Sequence, residues 1–156
     1  MNEVNQLEMM RQEITDFCRR IGSDPMLVQG GGGNVSWKDG KTLWIKASGR
    51  WLAEADADNI FVPVDLSHLL QATHDGIFDA IPIALGATGL KPSIETVLHA
   101  VMPHRFVVHL HPVAALAFLV RRAPGADLES RLKGLDWQLV EYRKPGGLWR
   151  WRFQTP

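Results

Sequence analysis

Apolar residues near the start of the chain recur at spacings of three and four, which is the period of one helix face. They predict an amphipathic helix that ends near Gly22, with a buried stripe of Val4, Leu7, Met10, Ile14, Phe17 and Ile21. A second apolar stripe follows the candidate N-cap Ser93 and stops at Pro103. A third helix is expected over residues 113–122, with Pro112 in its first turn.

Shorter apolar runs bounded by glycine, proline and turn residues predict strands over residues 42–46, 60–66, 105–111 and 137–142. The pair Asp39-Gly40 predicts a hairpin turn between the first of these strands and the β-prone residues 34–37. Residues 67–91 contain scattered turn signals and no clear period. Helices and strands mixed in this way predict an α/β domain built in layers.

Composition narrows the class of protein. The 156 residues suffice for one domain with one substantial core. Because 17 basic residues balance 17 acidic ones, no net field attracts nucleic acid or an anionic membrane, and we expect neither as a partner. The single cysteine, Cys18, cannot form an internal disulfide, and the N-terminus shows no signal-peptide pattern. We therefore expect a cytoplasmic protein without a transmembrane span.

His109 and His111 are the clearest candidates for metal chemistry. Residues two apart on a strand share a face, with Cα atoms roughly 6.5 Å apart, so the two imidazoles can converge on one ion. The alternative is a pair of structural histidines. A cupin would need a glutamate soon after His111, and a barrel amidohydrolase would need a much longer chain, so the sequence excludes both.

Glu95 lies in the first turn of the second predicted helix, where the helix dipole favours an ionised carboxylate. It is a candidate base or metal ligand. The alternative is an ordinary acidic residue at a helix N-terminus. His99 follows one helical turn later, and we expect it to be structural.

The glycine run Gly30 to Gly33 matches neither a phosphate P-loop nor a dinucleotide-binding fingerprint. Combined with nearby polar residues, it offers amides and hydroxyls that could bind a phosphate group; these residues are Asn34, Ser48, Gly49 and Ser93. For any one of them, a role in a turn alone is the alternative.

Taken in order, these residues resemble the class II aldolase and adducin family, which includes fuculose-phosphate and rhamnulose-phosphate aldolases and ribulose-phosphate 4-epimerase. The resemblance runs from about residue 7 to residue 145 and rests on four motifs: Gly33-Asn34-Val35-Ser36, Lys46-Ala47-Ser48-Gly49, Pro92-Ser93-Ile94-Glu95 and His109-Leu110-His111-Pro112. The amino-acid sequence around the second and third motifs is most similar to the rhamnulose-phosphate aldolase domain of longer bifunctional aldolase/dehydrogenase proteins.

The resemblance implies a three-layer α/β/α domain with a mixed central sheet over residues 1–147, lacking the C-terminal part of the family fold. It also implies a homo-oligomer with sites near subunit interfaces. His109 and His111 would bind Zn²⁺ or another divalent metal, and Glu95 would be the catalytic acid/base. The phosphate of a small sugar-phosphate substrate would be bound by Asn34, Ser48, Gly49 and Ser93.

The implied activity is that of a lyase. It is the retro-aldol cleavage of a ketose 1-phosphate, of the rhamnulose or fuculose type, to dihydroxyacetone phosphate and an aldehyde. Two other functions on the same scaffold stay open: a noncatalytic interaction module, as in the adducin head, and a sugar-phosphate epimerase or dehydratase.

The chain departs from the family pattern in three places. Family members supply a third metal histidine from a downstream strand, whereas no histidine follows His111, so we expect a loosely held metal and impaired activity. Ile94 stands where some family aldolases have a second phosphate-binding serine. Residues 148–156 form an atypical tail of alternating aromatic and arginine residues, which we interpret as the product of a frameshift.

Overall fold

The computed structural model of the chain describes residues 3–55, 59–121 and 125–140. Two compact units make up the chain, one ending at Pro112 and the other beginning at Val113. All of the predicted site residues belong to the first unit.

The first unit is built on a four-stranded sheet of β1 (Asn34–Asp39), β2 (Thr42–Lys46), β3 (Phe61–Asp65) and β4 (Phe106–His109). Their order is β3-β2-β1-β4, and every pairing is antiparallel. The expected α/β class is confirmed, but the sheet expected to be mixed is antiparallel in the described residues. Two neighbouring parallel strands need a crossover connection between them. The long connection from β3 to β4 joins the two outer strands of the sheet, so it does not create a parallel pair.

Helices cover both faces of this sheet, as the three-layer prediction requires. They are α1 (Glu3–Gly22), a 3₁₀ helix (Leu52–Glu54), α2 (Leu66–His74) and α3 (Thr96–Val101). The cluster that joins α1 and the 3₁₀ helix to one face contains Ile14, Cys18, Val28, Val35, Trp37, Leu52, Ala55, Ile60 and Phe61. The cluster that joins α2 and α3 to the other face contains Leu43, Ala47, Val62, Val64, Leu66, Leu69 and Ala100.

The helix ends agree with the sequence pattern at α1 and differ at α3. A Cβ at Gly22 would lie 2.3 Å from the backbone nitrogen of Ala53, so glycine lets the 3₁₀ helix pack against the end of α1. The N-cap of α3 is Glu95 and not the predicted Ser93. Ser93 instead accepts a hydrogen bond from the backbone N–H of Glu95 at 3.2 Å, in the turn before the helix. The side chains of Val4 and Leu7 lie outside the described residues.

The segment without a clear period, residues 67–91, completes α2 and then runs along the outer edge of β3. The backbone of Asp65 donates to the carbonyl of Ile83 at 2.9 Å, and the backbone of Leu85 donates to the carbonyl of Pro63 at 2.8 Å. This loop therefore pairs with the outer edge of β3. A full strand could not form every ladder hydrogen bond at that edge, because Pro63 has no amide hydrogen.

The second unit contains α4 (Val113–Leu119) and α5 (Gly125–Arg131). The strand expected over residues 137–142 is wrong in its described part, since residues 137–140 form no strand. A strand needs a neighbour for its amides, and none of the described strands pairs with these residues. Residues 141–142 and the tail 148–156 lie outside the described residues. Among the described helices, none is long and apolar enough to cross a membrane.

Candidate functional site

The pairing of β1 with β4 brings Asn34 directly opposite His109. Because side chains alternate along a strand, Asn34, Ser36 and His109 project from the same sheet face, which α2 and α3 cover. Asn34 and Ser36 are buried and His109 is half-buried. Two strands far apart in sequence thus present polar side chains beneath the start of α3.

Glu95 joins these strands to α3. Its Oε1 lies 2.7 Å from Nδ1 of His109, and its Oε2 accepts a hydrogen bond from the side-chain amide of Asn34. The same amide donates to Oγ of Ser93 at 2.9 Å. Four of the predicted site residues therefore form one connected polar group.

The charge state of Glu95 follows from these contacts. Burial raises the pKa of this carboxyl, but hydrogen bonds from His109 and Asn34, together with the charge of His109, outweigh burial and hold the pKa below its ordinary value. The hydrogen bond to Glu95 raises the pKa of His109 against the opposing effect of burial. Glu95 is consequently ionised at neutral pH and can accept a proton.

His99 belongs to the same cluster, although the sequence suggested only a structural role. Its side chain is fully buried, with Nδ1 2.7 Å from Oγ of Ser36 and with no hydrogen-bond partner for Nε2 among the described residues. One ligand atom from each of Glu95, His99 and His109 lies within 4.8 Å of the other two. Burial lowers the pKa of His99 to about 4, so its imidazole is neutral at pH 7. The signal available in the sequence was its position one helical turn after Glu95.

His111 lies just beyond β4, so the strand is shorter than predicted. Its backbone N–H donates to the carbonyl of Leu27 at 3.1 Å, and its ring centroid lies 4.9 Å from that of His109. His111 is not one of the three residues whose ligand atoms lie within 4.8 Å of one another. The two imidazoles are therefore neighbours, while the binding of one metal by both stays a prediction.

The turn that follows β2 carries Ser48 and lies beside the segment that leads to Ser93. A bridge between Ala47 and Pro92 and a 2.9 Å hydrogen bond from the backbone of Ser48 to the carbonyl of Lys91 hold the two segments together. The second and third sequence motifs thus meet at the end of the sheet where Glu95 lies.

The glycine run approaches this turn from the other side. Gly49 has a φ of 75°, a backbone conformation that favours glycine. A Cβ at Gly31 would lie 3.9 Å from the backbone atoms of Gly49, so the two loops are in van der Waals contact. Of the predicted phosphate-binding residues, Asn34 and Ser93 are therefore buried in the polar group, and Ser48 and Gly49 lie on the exposed turn.

The side chains of this cluster, Glu95, His99 and His109, are of types that bind a divalent metal, whereas His111, the other predicted ligand, lies outside the cluster. Imidazole nitrogens and carboxylate oxygens are ordinary zinc ligands, and the cluster supplies both. Nδ1 of His109 lies 2.7 Å from Oε1 of Glu95, which is within ion-pair distance when the imidazole is protonated. The fully buried Nε2 of His99 is a further nitrogen without a protein partner in the described part of the chain.

Comparison with known proteins identifies the family. Residues 12–148 match the family described as the class II aldolase and adducin N-terminal domain. The chain therefore belongs to this family, and the resemblance seen in its four motifs is confirmed.

Individual relatives agree with this assignment. The solved N-terminal class II aldolase domain of a conserved protein from Thermoplasma acidophilum has a TM-score of 0.66 and 30% identity, over 77% of this chain and 63% of that one. A protein named uncharacterized oxidoreductase YuxG, from Bacillus subtilis (strain 168), is 29% identical over 150 residues, which cover 86% of this chain and 22% of that protein. The chain thus spans less than two thirds of the solved domain and about a fifth of the Bacillus protein.

Proposed function

We propose that this class II aldolase-type domain binds Zn²⁺ or another divalent metal and cleaves a ketose 1-phosphate of the rhamnulose or fuculose type. The products are dihydroxyacetone phosphate and an aldehyde. The observation that carries the proposal is the position of the ionised Glu95 carboxylate, 2.7 Å from the His109 imidazole and hydrogen-bonded to Asn34.

His109 and His111 are the proposed metal ligands. When bound, the metal supplies a Lewis acid that polarises the substrate carbonyl and stabilises the negative charge that develops during cleavage. Glu95 contacts Nδ1 of His109 at 2.7 Å, and Nε2 of the same ring is the nitrogen proposed to bind the ion.

Glu95 is the proposed acid/base. In a retro-aldol cleavage the hydroxyl on C4 loses its proton, the C3–C4 bond breaks, and the electron pair left on C3 takes up a proton. An ionised carboxylate can accept a proton and return it, and the contacts with His109 and Asn34 keep Glu95 ionised at neutral pH. The depressed pKa keeps Glu95 in the ionised form that a proton acceptor needs.

A small sugar phosphate is the proposed substrate, with its phosphate bound by Asn34, Ser48, Gly49 and Ser93. The Ser93 hydroxyl and the Asn34 amide are already oriented by their mutual hydrogen bond. The buried Oδ1 of Asn34 has no hydrogen-bond partner among the described residues and can accept one from a substrate hydroxyl. Ile94 is 95% exposed beside these residues and contributes no hydrogen bond to a phosphate.

We also propose that the domain is part of a longer protein of the aldolase/dehydrogenase type. The matched part is only 22% of a Bacillus protein named as an oxidoreductase. This supports the interpretation that the domain corresponds to the aldolase part of aldolase/dehydrogenase proteins. We further propose that it assembles as a homo-oligomer.

Metal content tests the proposed ligands. Protein purified without added zinc should contain metal, and the His109→Ala and His111→Ala variants should contain less. His104→Ala is a matched control, because His104 is exposed and lies in the turn before β4. Less than a tenth of an equivalent in the native protein, unchanged in both ligand variants, would favour the noncatalytic interaction module.

Turnover tests the reaction. The native protein should release dihydroxyacetone phosphate from rhamnulose 1-phosphate or fuculose 1-phosphate, and Glu95→Ala should lose that release. Equal rates in the two proteins would remove Glu95 from the mechanism. Conversion of the substrate to an isomer or a dehydrated product, without cleavage, would assign the scaffold to an epimerase or dehydratase.

A further inference from the structure

Lys46 is a lysine buried at the end of β2, only 2% exposed. Its ammonium contacts three backbone carbonyls: that of Arg50 at 2.6 Å, that of Gly31 at 3.1 Å and that of Ala47 at 3.5 Å. An ammonium has three N–H donors, so these carbonyls can use all of them. The charge is therefore fully occupied by main-chain oxygens.

These carbonyls belong to two separate segments. One is the glycine loop, residues 29–33, and the other is the Ser48 turn, residues 47–50. The glycine loop leads directly into Asn34, and the turn carries Ser48 and Gly49. Lys46 is thus the side chain that bonds both segments of the proposed phosphate pocket at once.

Lys46 lies in apolar surroundings, where burying its ammonium is unfavourable and the three carbonyls offset the lost hydration. Lys46 pairs with Phe61 across the sheet and shares its face with Trp44, in a region where an apolar side chain would fit. Burying an ammonium is unfavourable unless its hydrogen bonds are replaced. Burial lowers the pKa of Lys46, and the carboxylates of Glu95 and Glu54 oppose that effect. A lysine here makes physical sense because its ammonium bonds carbonyls of both loops at once.

We propose that Lys46 is a positioning residue that clamps the glycine loop to the Ser48 turn and so sets the width of the phosphate pocket. It acts through the two loops and does not touch the phosphate, because its donors are taken by carbonyls. The proposal rests on the proposed function for the identity of the ligand. The clamp itself follows from the three hydrogen bonds.

Lys46→Met keeps an unbranched apolar side chain and removes the ammonium, and Lys38→Met is the matched control. Lys38 lies on the neighbouring strand β1, and its ammonium donates to the carbonyl of Met102, which belongs to neither loop. For each protein we would measure backbone amide order parameters by ¹⁵N relaxation and the dissociation constant of inorganic phosphate by titration. In Lys46→Met, the order parameters of both loops should fall from about 0.85 to below 0.6, with the values in α1 and α2 unchanged.

The phosphate dissociation constant should rise at least tenfold in Lys46→Met and stay within twofold of the native value in Lys38→Met. Order parameters that match the native protein in both loops would overturn the clamp. Weaker phosphate binding with unchanged loops would also overturn it, since it would assign Lys46 to direct contact with the ligand.

The order parameters also decide the role of Lys46 if the native protein does not bind phosphate or if Lys46→Met does not fold. If the native protein does not bind phosphate, the proposed function loses its phosphate pocket, while the order parameters still decide whether Lys46 clamps the loops. If circular dichroism shows that Lys46→Met does not fold, Lys46→Gln replaces it. Its shorter amide retains two donors but cannot reach both segments, so it should loosen the same two loops.

Discussion

Glu95 owes its ionised state to groups that come from different parts of the chain. His109 lies on β4 and Asn34 on β1, and their hydrogen bonds together outweigh the effect of burial on the Glu95 pKa. The sequence could single out Glu95 because it lies at the start of a predicted helix upstream of the pair His109 and His111. It could not predict these contacts, because they depend on the pairing of strands separated by more than sixty residues.

Replacing Glu95 with glutamine tests its proton-transfer role directly. Glutamine preserves the size of the side chain but cannot accept a proton at neutral pH. We expect kcat for dihydroxyacetone phosphate release to fall by about 10²- to 10⁴-fold in Glu95→Gln. Glu8→Gln, on the exposed surface of α1, is the control and should keep the native rate. A kcat for Glu95→Gln within threefold of native would show that another group moves the proton.

His99 should make the fold sensitive to acid. Its pKa is about 4 in the folded protein against an ordinary value of 6.5, so the unfolded chain binds a proton first as the pH falls. The free energy of unfolding contributed by His99 is therefore fully present above pH 6.5 and declines toward pH 4. Two and a half pKa units correspond to on the order of 3 kcal/mol.

The measurement is urea unfolding of the native protein and His99→Gln between pH 7.5 and pH 4.5. Because Glu95, His109 and Lys38 are charged neighbours of His99, the informative quantity is the difference between the two proteins. The variant should lose less stability on acidification than the native protein. His74→Gln, at an exposed position, should follow the native curve. Parallel curves for His99→Gln and the native protein would show that His99 does not remain neutral in the fold.

At the scale of elements, the sequence predicted what depends on local pattern. The period of α1, the hairpin between β1 and β2, and the limits of β2 all follow from neighbouring residues. The pairing of β1 with β4 does not, because it joins distant segments. The same limit explains why a strand was wrongly expected over residues 137–140, where an apolar run has no neighbour to pair with.

The glycine loop and β4 meet at Gly32 and His111. A Cβ at Gly32 would lie 3.1 Å from Nδ1 of His111 and 3.0 Å from the carbonyl of Gln29. An alanine there should therefore displace the imidazole of the proposed ligand His111 while leaving the residue itself unchanged. We expect Gly32→Ala to weaken zinc binding by on the order of tenfold, as displaced supporting contacts around metal ligands do.

Gly31→Ala is the matched control, because a Cβ at that position meets nothing closer than 3.9 Å. Zinc affinity can be measured by competition with a chelator of known strength. Equal affinities for Gly32→Ala and Gly31→Ala would mean that His111 does not depend on the space beside Gly32, or that it does not bind the metal.

At the scale of the whole molecule, the family and the layered α/β architecture were both foreseeable from the sequence, since four motifs occur in order. The all-antiparallel sheet among the described strands was not, because strand direction depends on how the connections run. The roles of the predicted site residues stay a prediction, although the structure brings Asn34, Ser93, Glu95 and His109 together. The contacts of His99 and Lys46 emerged only when the strands and loops were assembled, because they join segments that are distant in the sequence.

Exposed apolar side chains support the proposal that the protein associates with itself. Ile81, Ile83 and Leu85 are exposed along the loop beside β3, and Ile94 is exposed beside the candidate site. Apolar surface of this kind commonly marks a contact with another chain. Light scattering at micromolar concentration should therefore show a species larger than one chain. A clean monomer would contradict the proposed homo-oligomer.

The position of a bound metal tests most directly whether His109 and His111 bind one ion beside Glu95. A crystal of the zinc-loaded protein, measured at the zinc absorption edge, should show one anomalous peak about 2.0–2.1 Å from a nitrogen of His109 and a nitrogen of His111, next to Glu95. No peak at His109, or a peak that His109 shares with Glu95 and His99 and not with His111, would contradict the proposed metal site.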